Sequence, residues 1–145
     1  MNDIEAVLGR SQLKRISEFI SERNIIYNIY KDILIDLPVK LNPIPKDVYS
    51  SLHLAIISIN NCTKKQHRII FEKMRSQNIG VQLHYYPVYL NPYYQSLGFK
   101  GLKLINAEQY AHSNFSIPIY PGLQINQIKR ISLALKKSLE FAGLF

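Results

Sequence analysis

Apolar positions recur at helical spacing from the start of the chain. Ile4, Leu8, Leu13, Ile16, Phe19 and Ile20 are followed in phase by Ile26, Tyr27, Tyr30, Ile33 and Leu34, which predicts one long amphipathic helix. Asn2 can cap it, and Glu5, three residues on, can close a capping box. Pro38 ends it at the latest. A helix of about 30 residues is long for a small globular domain, so it is expected to break near Asn24 or to bridge two bodies. Residues 37–47 hold Pro38, Pro43 and Pro45 and read as an extended surface connector. Residues 51–59 read as the best strand, apolar and rich in β-formers toward its end. Asn60-Asn61-Cys62 turns the chain. Thr63 caps a second helix, with Gln66 in the capping-box position and Ile69, Ile70 and Met74 as its buried face. Gly80 is the expected helix stop.

Residues 81–85 alternate well enough for a short strand, which Pro87 must end because it has no N–H for a ladder. Residues 104–114 predict a short helix with Ala107, Tyr110 and Ala111 inward. Residues 115–122 read as a short extended piece ended by Pro121-Gly122. Residues 126–140 form a last amphipathic helix with Ile128, Ile131, Leu135 and Leu139 on one face. The order of elements is that of an α+β fold, a small sheet with helices packed on one side.

Composition narrows the class. One domain is expected for 145 residues, and 47% apolar with 19% charged residues reads as globular. No apolar run approaches the ~20 residues that span a bilayer. The start, Met-Asn-Asp-Ile-Glu, shows no signal peptide, so a cytoplasmic location is expected. Cys62 is the one cysteine, which excludes an internal disulfide framework and a cysteine-rich zinc site. The net charge is +8, from 18 Lys and Arg against 10 Asp and Glu. The basic residues are scattered in short pairs such as Lys14-Arg15 and Lys136-Lys137, without interleaved stacking aromatics. That pattern argues against a nucleic-acid partner and for a solvated face biased toward anions.

The most distinctive stretch is 81–94, with one histidine, five tyrosines, two prolines and no formal charge. A tyrosine offers a flat apolar face and a phenolic hydroxyl together, which suits a hydroxyl-rich ligand such as a sugar. Residue type alone favours a tyrosine-rich loop packed on its own core, since tyrosine needs no ligand. His84, at a strand end among tyrosines, could hydrogen-bond a substrate or move a proton, or be satisfied by a backbone group. His53 reads as a packed core or interface histidine; His67 and His112 read as solvent-facing. Glu108 sits in a first helical turn, where a carboxylate favours the macrodipole. Cys62 lies in no nucleophile motif, and the chain has no metal spacing, dinucleotide fingerprint or phosphate loop. Spacing alone therefore assigns no reaction.

A family resemblance adds to this. Residues 1–15, M-N-D-I-E-A-V-L-G-R-S-Q-L-K-R, resemble the M-T-D-I-Q-A-A-L-G-x-x-Q-L-K-R run of the DegT/StrS-type sugar aminotransferases. These are fold-type-I enzymes that use pyridoxal phosphate (PLP). Residues 84–94 resemble the H-Y-x-P-V-H-L-Q-P-Y-Y signature of the branch that makes UDP-4-amino-4,6-dideoxy-N-acetyl-β-L-altrosamine for pseudaminic acid. Ala107-Glu108-Gln109-Tyr110-Ala111 is similar to the family's A-E-x-Y-A, and residues 115–123 to its L-S-L-P-L-Y-P-G-L. Tyr89 stands where the signature has its second histidine, and Asn91 where it has glutamine.

The resemblance implies the small C-terminal domain of such an enzyme, a small antiparallel sheet with helices on one side. Residues 1–36 would be the linking helix and residues 37–145 the small domain. The large PLP-binding domain would be absent, with Met1 on the family's internal methionine. His84, Tyr85, Tyr93 and Tyr94 match the motif and are the implied contacts to a UDP-amino sugar. The implied reaction moves an amino group from an amino acid, by family habit glutamate, to a 4-keto-6-deoxy UDP-sugar. The site is implied to be shared across a homodimer. No lysine here occupies the family's cofactor-holding motif, so no catalytic residue is assigned and no PLP is expected on this chain alone. An expressed domain, half of a split gene and a truncated remnant all fit, as does a non-catalytic module that binds sugar nucleotide or regulates assembly.

Overall fold

The structure, a computed structural model, describes residues 2–145; Met1 lies outside them. The first helix, α1, runs Asp3–Ile33 without a break, roughly 46 Å at 1.5 Å per residue. Its start follows the predicted chemistry. The Asn2 side chain accepts from the Glu5 amide, and the Glu5 carboxylate accepts from the Asn2 amide, each at 2.9 Å. Asn24 does not break the helix. Its side-chain amide donates to the Ile20 and Ser50 carbonyls, both at 2.9 Å, and ties α1 to the following connector. Burial begins only in the second half, with Ile26, Tyr27 and Tyr30.

The connector holds a strand that the prolines had disguised. Strand β1, Val39–Leu41, pairs antiparallel with β2, Ala55–Ile59, bringing Val39 opposite Ile59. Between Pro38 and Pro43 lie residues with free N–H groups, enough for a short edge strand. β2 starts later than its apolar run suggests, because Leu52 has φ 46, outside the extended region. His53 therefore falls outside the strand and is exposed, contrary to the packed position expected. Along β2, Ala55, Ile57 and Ile59 are buried while Ile56 and Ser58 are half-buried.

Helix α2, Lys64–Ser76, starts on the predicted box of Thr63 and Gln66. Its stop is not Gly80. Asn78, at φ 58, turns the chain two residues earlier, a conformation that asparagine tolerates. Ile70 and Met74 are buried as expected, whereas Ile69 is only half-buried and His67 takes its place in the core. A 3₁₀ turn, Val88–Leu90, a single turn α3, Pro92–Tyr94, and a further turn, Gln95–Phe99, follow. Helix α4, Ile105–Ser113, leads into β3, Asn114–Ile117, and α5, Ile125–Phe141, closes the fold. α4 has no buried residue, and Ala107 and Tyr110 are exposed rather than inward. Its half-buried residues are Glu108, Ala111, His112 and Ser113.

The sheet order is β1-β2-β3, antiparallel throughout, with Ile57 opposite Phe115 and Ala55 opposite Ile117. The inward residues of β2 share one core with Ile26, Tyr30 and Leu34, with Ile70 and Met74 of α2, and with Ile128, Ile131, Leu135 and Leu139 of α5. This is the expected α+β arrangement. The strand expected at 81–85 contracts to one bridge, Gln82 to Ser116, on the outer edge of β3. β3 is short, and Pro118 behind it has no N–H to extend a ladder. Among the described residues no helix is long and apolar enough to cross a membrane.

Candidate functional site

The outer edge of β3 is where the polar groups gather. Ser116 sits between Phe115 and Ile117 in a strand that is buried throughout, so its hydroxyl needs partners. It donates to the Gln82 carbonyl at 3.3 Å and lies 2.9 Å from His84 Nε2. Which of the two groups donates in the Ser116–His84 bond follows the imidazole tautomer. His84 Nδ1 is covered and has no hydrogen-bond partner among the described residues. A covered polar nitrogen without a partner costs free energy. His84 lines an open cavity of about 770 Å³ with His53, Arg75, Gln82, Ser116 and Tyr120. Its ring meets Tyr85 edge-on at 4.9 Å, across a cis peptide bond.

The four residues singled out by the motif do not converge on one cavity. Tyr85 is 71% exposed and lines a separate cavity of about 190 Å³ with Lys64, Arg68, Tyr86 and His112. Tyr93 and Tyr94 lie further along the loop, packed edge-on at 5.3 Å, and line neither cavity. Tyr93 is 65% exposed. Its amide is held by the Asn91 side chain at 3.2 Å.

The other candidates fall into structural places. His67 is buried, donates from Nε2 to the Asn114 carbonyl at 3.0 Å, and packs between Phe71 and Phe115. It is not the solvent-facing residue expected, because the strand-leading carbonyl of Asn114 needs a donor at that point. Burial, with His112 adding repulsion, pushes its pKa below the ordinary histidine value against the pull of that hydrogen bond. His112 is half-buried. Glu108 does more than favour a helix dipole, since it accepts the Tyr89 hydroxyl at 2.5 Å. Burial pushes the Cys62 thiol up to about 11, so it is a thiol rather than a thiolate at neutral pH. No group of three potential metal ligands occurs among the described residues.

Sequence reasoning missed Ser116, Gln82 and Tyr89. The signal for Ser116 was present, a lone hydroxyl between Phe115 and Ile117. Gln82 acts through its backbone, which residue type does not report.

A PLP site needs an amine to hold the aldehyde, an acid at the ring nitrogen and donors for the phosphate. Lys31 and Lys40 line a cavity of about 810 Å³ between α1 and β1 that has no carboxylate in its wall. The cavity beside His84 has neither group, Lys64 lines one without a carboxylate, and the cavity that includes Glu72 has no lysine. Lys73 is half-buried with its ammonium 4.0 Å from the Phe141 ring, and the remaining lysines are exposed. None of these cavities brings a lysine and a carboxylate together, so none of them fits the cofactor.

Known proteins carry a similar sequence and the same fold. The DegT/DnrJ/EryC1/StrS aminotransferase family matches residues 1–136. The UDP-4-amino-4,6-dideoxy-N-acetyl-beta-L-altrosamine transaminase of Helicobacter pylori is 31% identical over 142 residues, covering 97% of this chain and 37% of that protein. The structure of Helicobacter pylori PseC, described as an aminotransferase involved in the biosynthesis of pseudoaminic acid, superposes with a TM-score of 0.87 at 30% identity. That superposition covers 97% of this chain and 38% of PseC. The apo-form of the putative sugar aminotransferase Spr1654 from Streptococcus pneumoniae, at 24% identity, shares the fold with a TM-score of 0.92 over 99% of this chain and 36% of its own. The chain thus spans little more than a third of the length of the relatives it matches. It belongs to the DegT/DnrJ/EryC1/StrS aminotransferase family.

Proposed function

We propose, from the premise of that membership, that this chain supplies the substrate-recognition part of a PLP-dependent nucleotide-sugar aminotransferase. The complete enzyme transfers an amino group from an amino acid, glutamate in our reading, to a 4-keto-6-deoxy UDP-sugar in pseudaminic-acid-type surface-sugar synthesis. Residues 1–36 link the large PLP-binding domain to a small domain formed by residues 37–145. His84 and Tyr85, with Tyr93 and Tyr94, meet the nucleotide sugar. The lysine and the acid that PLP requires come from polypeptide outside this chain, and a homodimer completes the site. Alone, the chain does not transaminate.

The observation that carries this reading is the unpartnered Nδ1 of His84 at the head of an uncharged tyrosine loop. A sugar hydroxyl both donates and accepts, so it suits an imidazole in either tautomer and the phenols beside it. The first half of α1 adds support. Ile4, Val7, Leu8 and Leu13 are each more than 60% exposed, an apolar surface that a further body would cover. That none of the four cavities described above joins a lysine to a carboxylate supports the division of labour.

The test is an NMR titration of the chain with a UDP-amino sugar, following the His84 and Tyr85 rings. Both are expected to shift, and unmoved rings refute the recognition role. In parallel, PLP followed by borohydride is expected to leave no single lysine stoichiometrically modified by mass spectrometry. One fully modified lysine refutes the claim that the chain lacks the chemistry.

A further inference from the structure

Residues 82–113 form a lobe with almost no core of its own. Only Pro87 and Tyr89 are buried in it; every other residue is half-buried or exposed. Apolar packing therefore cannot hold the lobe in one shape. What joins its parts converges on Tyr89. The Tyr89 hydroxyl donates to Glu108 Oε1 at 2.5 Å and accepts the Leu104 amide at 3.2 Å. The Tyr89 carbonyl accepts from Gln95 Nε2 at 2.6 Å. One residue thus ties together the 3₁₀ turn, the turn after α3 and the start of α4. Asn91, two residues on, caps the turn that presents Tyr93, so the orientation of the Tyr93–Tyr94 pair follows from where Tyr89 is held.

The clamp divides the candidate site between two supports. His84 is fixed to β3 through Ser116, while the tyrosine pair is fixed to α4 through Tyr89 and Glu108. Burial and the bond to Glu108 both hold the Tyr89 phenol above its ordinary pKa, consistent with a neutral donor facing a carboxylate.

We propose that Tyr89 is the positioning residue of the tyrosine loop, its hydroxyl shared between Glu108 and the Leu104 amide so that Tyr93 and Tyr94 stand in a fixed arrangement toward a nucleotide sugar. The clamp stands on geometry alone; its purpose rests on the function proposed above. Tyr89→Phe keeps the ring and removes the hydroxyl. Glu108→Ala removes the acceptor, and Glu108→Gln keeps an acceptor oxygen.

Hydrogen exchange across residues 88–104 is expected to quicken about tenfold in Tyr89→Phe and in Glu108→Ala, as the loss of one hydrogen bond to a charged group allows. The double variant should be no faster than Tyr89→Phe alone, and Glu108→Gln should restore most of the protection. Exchange in β2 and α5 should not change. With UDP-N-acetylglucosamine as probe, Tyr89→Phe is expected to lose the ring shifts of Tyr93 and Tyr94 while His84 still responds. Unchanged exchange in Tyr89→Phe, or Glu108→Gln as fast as Glu108→Ala, overturns the clamp whatever the probe does. Faster exchange with no tyrosine shift in the wild-type chain overturns the ligand reading and with it the positioning role, leaving a structural bond.

Discussion

Tyr30→Phe isolates one long-range bond with little change in shape. Tyr30 is fully buried, and its hydroxyl donates to the Pro118 carbonyl at 2.8 Å across 88 positions of sequence. It joins the buried end of α1 to the segment leaving β3. Phenylalanine keeps the ring, so no cavity larger than a hydroxyl opens. The cost is the net worth of the bond plus the unmet carbonyl, about 1–2 kcal/mol. For a chain of this size that lowers Tm by roughly 3–6 °C. Tyr30→Ala empties the ring site as well and should cost about 3–5 kcal/mol. Thermal unfolding followed by circular dichroism at neutral pH measures both.

A second axis is pH. Burial, and next the neighbouring Tyr120, raise the Tyr30 pKa above its ordinary value of 10.0. Above that pH the unfolded chain ionises this tyrosine while the folded chain keeps it protonated. The folded state then holds more protons, so stability falls as pH rises. Tyr30→Phe lacks that loss, and its deficit relative to wild type should narrow above pH 10. A Tyr30→Phe melt within about 1 °C of wild type at neutral pH refutes the reasoning, because no functioning buried hydrogen bond is that small in effect. A deficit that widens at alkaline pH refutes the sign.

Three further outcomes are expected. His67, whose pKa burial lowers, stays neutral in the folded chain while the unfolded chain takes up a proton below pH 6.5. Stability should therefore drop as pH falls through and below that value, and His67→Gln, which keeps a donor toward Asn114, should flatten a plot of Tm against pH over that range. Thr63→Ala removes the side chain that accepts the Gln66 amide at 3.3 Å and should cost about 1 kcal/mol in urea unfolding. Asn78→Ala places a side chain without local bonding at φ 58 and should cost about 1 kcal/mol or more, whereas Asn78→Gly should be neutral or mildly stabilising by the same assay.

What could be read from the chain was what closes over a few residues. Asn2 with Glu5, and Thr63 with Gln66, are boxes of four consecutive residues, and both helices start where those residues say. The ends of α4 and α5 fall within one residue of those predicted. β1 was not, since Val39 is made a strand residue by Ile59 and its neighbours, twenty positions away, while the prolines around it speak locally for a loop. His67 sits in a run, Lys64-Lys65-Gln66-His67-Arg68, that looks solvated. Its burial is decided by the Asn114 carbonyl, 47 positions on. The inner face of α4 was misassigned because Glu108 is drawn inward by the Tyr89 hydroxyl rather than by apolar periodicity.

The candidate site divides along the same line. Motif and residue type picked out His84 and the tyrosines, but said nothing of what holds them. His84 depends on Ser116, 32 positions away, and the tyrosine pair depends on a carboxylate 19 positions beyond Tyr89. A ligand that touches both must bridge a rigid sheet edge and a lobe with scarcely any core. Movement between those supports changes the spacing of the contacts without disturbing the core around Ile57 and Leu135. Affinity for a nucleotide sugar should therefore be more sensitive to the Tyr89–Glu108 bond than global stability is. A variant that loosens the lobe yet melts like wild type is the case in which that difference can be measured.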